Sequence, residues 1–390
     1  MKILQLKKGV DRRLNSGHLW VYSNEVAGRV RDFDPGEIVD VVDQEERFIG
    51  RAYVNPASLI MGRILTRRQE EIDGGFIRAR LTTARDHRKR WPPTSNEAYR
   101  LVFGESDGLP GLIVDVYGSF LVVQSLTAGM DQMLDVVIQE LTGLFSPQGI
   151  IVRNDVPIRE LEGLPLEKKL VYGVMPPTDL AVTIGPVKIK VDIWDGQKTG
   201  FFLDQNANRL RLKGLVKGKR VLDTFCYTGG WALTAAACGA IEVVGVDSSP
   251  RALALAEESA GLNNLGGRCQ FVRAQTLHFL KATEPKFDVI ILDPPSFAKS
   301  KSKIKEAERG YLDLNKKALK LLPKGGLLFT FSCSYQITRE HFRGILAKAA
   351  ALAGRPVKLI EQLGQAGDHP VLLSMPETEY LKGLVLQIDA

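Results

Sequence analysis

At 390 residues, with 44% hydrophobic and 25% charged content, the chain exceeds one typical domain and holds enough apolar material for real cores. Its formal charge of +7 suits a polyanionic partner, nucleic acid foremost, although many cytosolic enzymes share such a balance. The opening MKILQLKKGV is too poor in apolar residues for a signal peptide, and no later run is long enough to span a bilayer. The four cysteines, Cys226, Cys238, Cys269 and Cys333, lack CxxC or Cys/His ligand spacing. Reduced thiols in a cytosol are expected, with no metal and no membrane association.

Residues 1–72 read as short β segments (LQLKK, LWVYSNEV, EIVDVVD, RFIGRAYV, IMGRIL) punctuated by turns, which predicts a small barrel or sandwich. FIRARLTTARDHRKRW, residues 76–91, has helical spacing and a dense basic face, with Pro92 and Pro93 as its stop. Residues 99–175 mix strands with a helix around 129–145, enough for a small α/β unit, and VTIGPVKIKVDIWDG then leads into the longest region. From about residue 219 strand and helix alternate: KRVLDTF, WALTAAACGA, EVVGVD, SPRALALAEESAGLN, FDVIILD, GYLDLNKKALKLL, GGLLFTFSC and TREHFRGILAKAAALAG. That alternation predicts an α/β fold with a parallel, doubly wound, Rossmann-like sheet and ligands at the carboxyl ends of its strands. Three domains are expected: a β-rich one over 1–72, a small α/β one over 73–180, and the doubly wound one over 181–390.

The strand VLDTF opens into CYTGGWAL, a glycine-bearing turn at a helix start, where Gly229 and Gly230 would let the backbone approach a ligand. A second strand ends in Asp247, near the spacing at which a carboxylate meets ribose hydroxyls. TGG is not GxGxxG, and nothing in it is built to cradle a pyrophosphate. A ligand with a ribose and an amino-acid tail fits better, and Asp223 at the end of the first strand suits its ammonium group, which points to S-adenosylmethionine. On these residues alone a nicotinamide site and a purely structural turn remain open. FDVIILDPPSF then sets Asp293-Pro294-Pro295 at a strand end, the prolines fixing where the carboxylate points. A structural Pro-Pro turn is the plainer alternative.

Taken in order, GQKTGFFLDQNANR, VLDTFCYTGGWAL, VVGVDSS, LDPPSFAKSK, LLFTFSCS and DHP (368–370) resemble the bacterial large-subunit rRNA cytosine-carbon-5 methyltransferases of the RlmI/RlmO type. KKGVDRRLNSGHLWVYSNEV is similar to the start of a PUA RNA-binding domain, so the first domain is expected to be PUA-like and the third a class I methyltransferase. The resemblance implies S-adenosylmethionine as cofactor, with Lys198, Phe201, Asp204 and Gln205 on a segment closing over it. It further implies Tyr227, Thr228 and Gly229 at the methionine end, Asp247 on the ribose and Ser248 beside the adenine. Where relatives carry an acidic residue near the adenine amino group, this chain reads VRAQTLHF, leaving Gln275 as the nearest polar candidate.

Carbon 5 of cytosine is a poor nucleophile until a thiolate adds at carbon 6. Cys333, ending the strand after Asp-Pro-Pro, is the expected nucleophile, with Asp293 on the cytosine edge and also expected among the cofactor-binding residues. Cys238 and Cys269 read as packing residues, and Cys226 as a neighbour of the cofactor. The base that removes the carbon-5 proton is open among Glu377, Asp368 with His369, and water. The expected partner is 23S rRNA, free or in a large-subunit assembly intermediate, and a homodimer is the default state. Lys8, Arg12, Arg13, His18 and Trp20 are expected to contact RNA, as are Arg85 and Arg88 on the basic helix and Lys299 and Lys301 after the Asp-Pro-Pro turn. The stretch 209–220 would add a basic track. For each of these a solvated charged face is the plain alternative. Two other functions stay in view: methylation of a guanine nitrogen, which needs no thiol, and a non-catalytic ribosome-assembly protein.

Overall fold

The computed structural model describes all residues except Pro92, Thr94, Asn96, Pro285, Lys286, Lys299 and Ala390, together with the side chain of Lys301. The expected contacts of Lys299 and Lys301, and the helix stop at Pro92, therefore lie outside the described residues. Lys2–Gln5, Ile38–Val42, Phe48–Val54, Gly62–Thr66 and Trp20–Val21 lie side by side in that order as a five-stranded sheet. Alternation along these strands puts Leu4, Val39, Val41, Ala52, Val54 and Ile64 into one core. A second sheet runs Glu167–Gly173, Gly149–Asn154, Phe120–Ser125, Leu112–Tyr117, Ala98–Phe103. Helices Gly74–Arg90 and Leu134–Phe145 share its core. The first of them starts at Asp73, whose side chain accepts from the Phe76 N–H at 2.9 Å.

The chain divides into two compact units. Unit 1 holds residues 1–178 with 193–200 and 367–379, and unit 2 holds 179–192, 201–366 and 380–390. The two returning segments, placed by sequence in the third domain, fall in unit 1 and make polar contacts within it. The Thr199 hydroxyl donates to Asp115 at 2.6 Å, and the Asp368 carboxylate accepts from the Arg100 N–H at 2.9 Å.

Unit 2 opens with the hairpin Ala181–Ile184/Val187–Lys190. Its main elements are β1 (Arg220–Thr224), α1 (Gly230–Ala237), β2 (Glu242–Asp247), α2 (Pro250–Leu262), β3 (Cys269–Arg273), α3 (Thr276–Ala282) and β4 (Val289–Leu292). There follow α4 (Ile304–Leu321), β5 (Leu327–Ser332), α5 (Arg339–Ala353), β6 (Val357–Leu363) and β7 (Lys382–Ile388). The sheet order is β3-β2-β1-β4-β5-β7-β6, with β7 antiparallel to both its neighbours. β1, β4 and β5 read as near-continuous apolar runs because helices cover both faces of a parallel sheet. Leu222, Ile290, Leu328, Leu314 and Phe342 meet in the core. From β1 the chain winds outward to β2, and later returns to β4 on the other side, so the crevice above β1 and β4 is the switch point where ligands bind. Among the described residues no helix is long and apolar enough to cross a membrane.

Candidate active site at the carboxyl ends of the sheet

Asp223 near the end of β1, Asp247 at the end of β2, Asp293 just past β4 and Cys333 just past β5 all come from the carboxyl edge of one sheet. Between β1 and α1 the chain turns through Phe225 at φ 63°, Tyr227 at φ 50° and Gly229 at φ 81°. Two non-glycine residues in the left-handed region mark a backbone held by its surroundings. Here the Tyr227 N–H donates to Asp247 at 2.9 Å, and the Cys226 N–H donates to the Val246 carbonyl at 3.0 Å. Gly230 does something other than admit a ligand, as the sequence suggested. A Cβ there would stand 2.8 Å from the Phe201 ring and 2.9 Å from Arg209 Nε, so the missing side chain makes room for the segment 201–209.

That segment brings carboxylates together. The Gln205 amide donates to Asp293 Oδ1 at 3.0 Å, and the Trp231 indole N–H donates to Asp293 Oδ2 at 3.2 Å. Asp204 accepts from the Tyr380 hydroxyl at 2.6 Å. The buried Arg209 guanidinium stacks 4.5 Å from the Phe201 ring centre and donates to Asn206 at 2.8 Å and the Phe202 carbonyl at 3.0 Å. Burial lowers its pKa to about 10 against the pull of Asp293, Asp204 and Asp223. Burial in turn raises Asp293 to about 6, helped by Asp204 and opposed by Arg209, Trp231 and Gln205. Asp223 is driven well above the usual carboxylate range by burial, with the Ala232 N–H opposing and Asp293 adding to the rise. Three acids share the field of one arginine.

Asp223 Oδ1 and Thr228 Oγ1 are buried and have no hydrogen-bond partner among the described residues. Orphaned acceptors in a crevice with excess negative charge fit a cationic ligand bearing an amino-acid tail. S-adenosylmethionine is such a ligand; Asp247 lies on the same carboxyl edge of the sheet, half-buried, and Ser248 and Gln275 are exposed. Lys198, in the left-handed region at φ 52°, belongs to unit 1, whereas Phe201, Asp204 and Gln205 are buried in unit 2.

The thiols separate by environment. Burial pushes Cys226 well above its ordinary pKa, raises Cys269 to about 11 and also raises Cys238. Cys333 is half-buried, with Sγ 3.8 Å from the Pro294 carbonyl oxygen.

Several expected surface residues have other tasks. His18 is 3% exposed, receives the Trp20 N–H at 3.0 Å, and has Nε2 3.3 Å from Glu377. Burial lowers its pKa, with Arg13 adding to that effect. Arg13 forks onto Glu25 at 2.8 and 2.9 Å, and the Trp20 indole donates to Glu105 at 2.8 Å. Arg88 is buried against Asp107 and the Asp368 carbonyl, and Arg85 is half-exposed beside Asp86. Arg209 leaves the 209–220 track for the crevice. Lys8, Arg12, Lys89 and Arg90 remain exposed. Of the acid–base candidates, Asp368 and His369 are 1% and 2% exposed and bonded to each other at 2.8 Å. Against the upward push of burial, His369 and Arg100 hold Asp368 below the carboxylate range. Trp231, Arg209, Tyr380 and Lys382 were missed by sequence reasoning, since an indole or a lysine in a strand carries no mark of what it will face.

Residues 4–67 match the PUA-like domain model, and residues 176–372 match the S-adenosylmethionine-dependent methyltransferase model. Ribosomal RNA large subunit methyltransferase I of Escherichia coli is 42% identical over 392 residues, covering 99% of each chain. Two solved structures share the fold at 22% identity, each covering 99% of this chain and 100% of the other. One is a methyltransferase from Streptococcus mutans, at a TM-score of 0.84, and the other a methyltransferase complexed with SAH, at 0.85. With an amino-terminal PUA-like domain, a carboxyl-edge crevice of buried acids and this full-length match, the chain belongs to the S-adenosylmethionine-dependent methyltransferases of the large-subunit ribosomal RNA family.

Proposed function

We propose that this protein methylates carbon 5 of a cytosine in 23S rRNA through a covalent bond between Cys333 and carbon 6. The observation that carries the reading is the half-buried Cys333 thiol at the carboxyl end of β5, 3.8 Å from the carbonyl of Pro294 in the Asp293-Pro-Pro turn. When bound, S-adenosylmethionine supplies the methyl group as an electrophilic sulfonium. The residues to hold it are Asp223 and Thr228 at the amino-acid tail and Asp247 at the ribose, with Ser248 and Gln275 toward the adenine. Phe201, Asp204, Gln205, Tyr227 and Gly229 complete this assignment. A target base inside a helix is inaccessible to such a crevice, so it must be unpaired or turned out.

Cys333 as thiolate forms the S–C6 bond, and the displaced π electrons make carbon 5 an enamine nucleophile that takes the methyl group. A base then removes the carbon-5 proton, the C5=C6 bond reforms and the S–C6 bond breaks, returning the thiolate. Asp293, with a pKa near 6, changes protonation close to neutrality. It therefore suits the cytosine edge, accepting from the amino group or donating to the ring nitrogen. Lys8, Arg12, Lys89 and Arg90 are the exposed cations assigned to phosphates in the cytoplasm, where ribosomes assemble.

The test is Cys333→Ala with S-adenosylmethionine and 23S rRNA, with modified nucleosides identified by mass. Formation of 5-methylcytosine is expected to fall at least about 1,000-fold, the scale of deleting a covalent nucleophile, with cofactor affinity within about twofold of the parent. Undiminished turnover, or a methylated guanine as product, contradicts the reading.

A further inference from the structure

Cys333 lies between two serines that are both fully buried while its own side chain is half-exposed. That is the period of an extended chain, one face turned into the protein and the other toward the crevice. On the inner face, Ser332 Oγ donates to the Tyr311 hydroxyl at 3.0 Å, and Tyr311, from α4, lies 2.9 Å from Ser334 Oγ. Ser334 Oγ accepts the N–H groups of Phe297 at 3.1 Å and Ala298 at 3.2 Å, and it meets Ser296 Oγ at 3.2 Å. The two N–H donors fill both lone pairs of the hydroxyl, so its own proton must go to Tyr311 or Ser296. The Ser334 carbonyl accepts from Lys382 Nζ at 2.8 Å, and the same ammonium holds the Tyr380 carbonyl at 2.8 Å. Lys382 is 4% exposed and pairs in register with Ser332 across β5 and β7.

Ser334 therefore ties together four pieces of backbone beside the site: the end of β5, the loop after Asp293-Pro-Pro, α4 and the start of β7. We propose that Ser334, with Lys382 behind it, is a positioning residue that locks Cys333 in register with the Asp293-Pro-Pro turn, so that nucleophile and base-binding carboxylate stand at a fixed separation. The proposal rests on Cys333 being the nucleophile. Its physical content is that attack needs the thiol and the held base within a near-attack distance, and that a displacement of about 1 Å costs on the order of a hundredfold in rate. Ser334→Ala leaves two buried N–H groups without their acceptor and frees the loop carrying the carboxylate from the strand carrying the thiol.

The experiment compares wild type, Ser334→Ala and Cys333→Ala as full-length protein with S-adenosylmethionine and 23S rRNA. It reads kcat for 5-methylcytosine, cofactor Kd by calorimetry, and iodoacetamide labelling of each cysteine by peptide mass. Ser334→Ala is expected to lose roughly tenfold to a hundredfold in kcat, the cost of misplacement rather than of a lost nucleophile. Its cofactor Kd should stay within about twofold, and Cys333 labelling should stay within about threefold of wild type, since the thiol itself is intact. Buried Cys226 reports the fold and should remain protected. Wild-type kcat in Ser334→Ala, or a fall in kcat that appears only with a matching loss of cofactor affinity and exposure of Cys226, overturns the proposal. Full turnover by Cys333→Ala instead overturns the covalent reading beneath it. If Ser334→Ala does not fold, Tyr311→Phe removes one hydroxyl and keeps the ring. A fall of about threefold to tenfold in kcat is then expected, the worth of one hydrogen bond, and unchanged turnover overturns the proposal.

Discussion

Buried charge is handled in opposite ways in the two units. In unit 1 each buried arginine meets its acid: Arg100 forks onto Asp115 at 2.7 and 2.8 Å, Arg63 reaches Glu162 at 2.9 Å, and Arg159 reaches Asp131 at 2.7 Å. In unit 2, Asp204, Asp223 and Asp293 crowd Arg209, and both Asp223 Oδ1 and Arg209 Nε lack a hydrogen-bond partner among the described residues. The first pattern is that of a scaffold, in which each buried guanidinium is matched by a carboxylate, even though Arg159 Nη2 has no hydrogen-bond partner among the described residues. The second leaves buried acids short of partners and raises the pKa values of Asp223 and Asp293, an arrangement that suits a site where a cationic ligand would favour their ionised forms.

Substitutions that break this contrast should act differently in each unit. Arg100→Met leaves Asp115 buried without its guanidinium and should cost about 3–5 kcal/mol of stability, read by urea unfolding. Asp223→Asn removes the carboxyl group that can ionise against the cofactor ammonium. It should weaken S-adenosylmethionine binding by roughly tenfold to a hundredfold, the value of a charge-assisted hydrogen bond, with little loss of folding stability. A loss of stability as large as that of Arg100→Met would erase the contrast.

Asp293 gives the contrast a pH dependence. Its folded pKa, near 6, lies above the ordinary value of 3.8, so the folded protein holds the extra proton between them. Folding stability should thus fall as pH rises from about 4 to about 6 and then level off. Cofactor binding favours the carboxylate, so affinity should rise across pH 6 with proton release and flatten above it. Calorimetry in buffers of different ionisation enthalpy checks this, and Asp293→Asn should remove the slope. The smallest effect is expected at the exposed cations: Lys89→Gln or Arg90→Gln should lower the salt dependence of rRNA binding by about one unit each where a phosphate is contacted.

The doubly wound sheet was legible because buried parallel strands are written as apolar runs separated by amphipathic helices. The same runs placed Asp223, Asp247, Asp293 and Cys333 at strand ends. What escaped sequence reasoning depends on partners far along the chain. Trp231 finds Asp293 62 residues later, and Tyr380 reaches Asp204 from 176 residues away. Arg88 and His18 looked like basic surface because a basic residue's neighbours in sequence do not reveal that Asp107 or Glu377 will meet it in space. The glycine pair divided as well: Gly229 serves the left-handed turn, while Gly230 makes room for Arg209.

The central claim is that Cys333 forms the bond to the base. The most direct measurement is trapping with 23S rRNA in which cytidine carries fluorine at carbon 5, where no proton is available for removal and the adduct cannot resolve. In the presence of S-adenosylmethionine the account predicts a stoichiometric protein–RNA adduct mapped by peptide mass to Cys333 and absent from Cys333→Ala. An active enzyme that yields no adduct, or one joined through another residue, would contradict it.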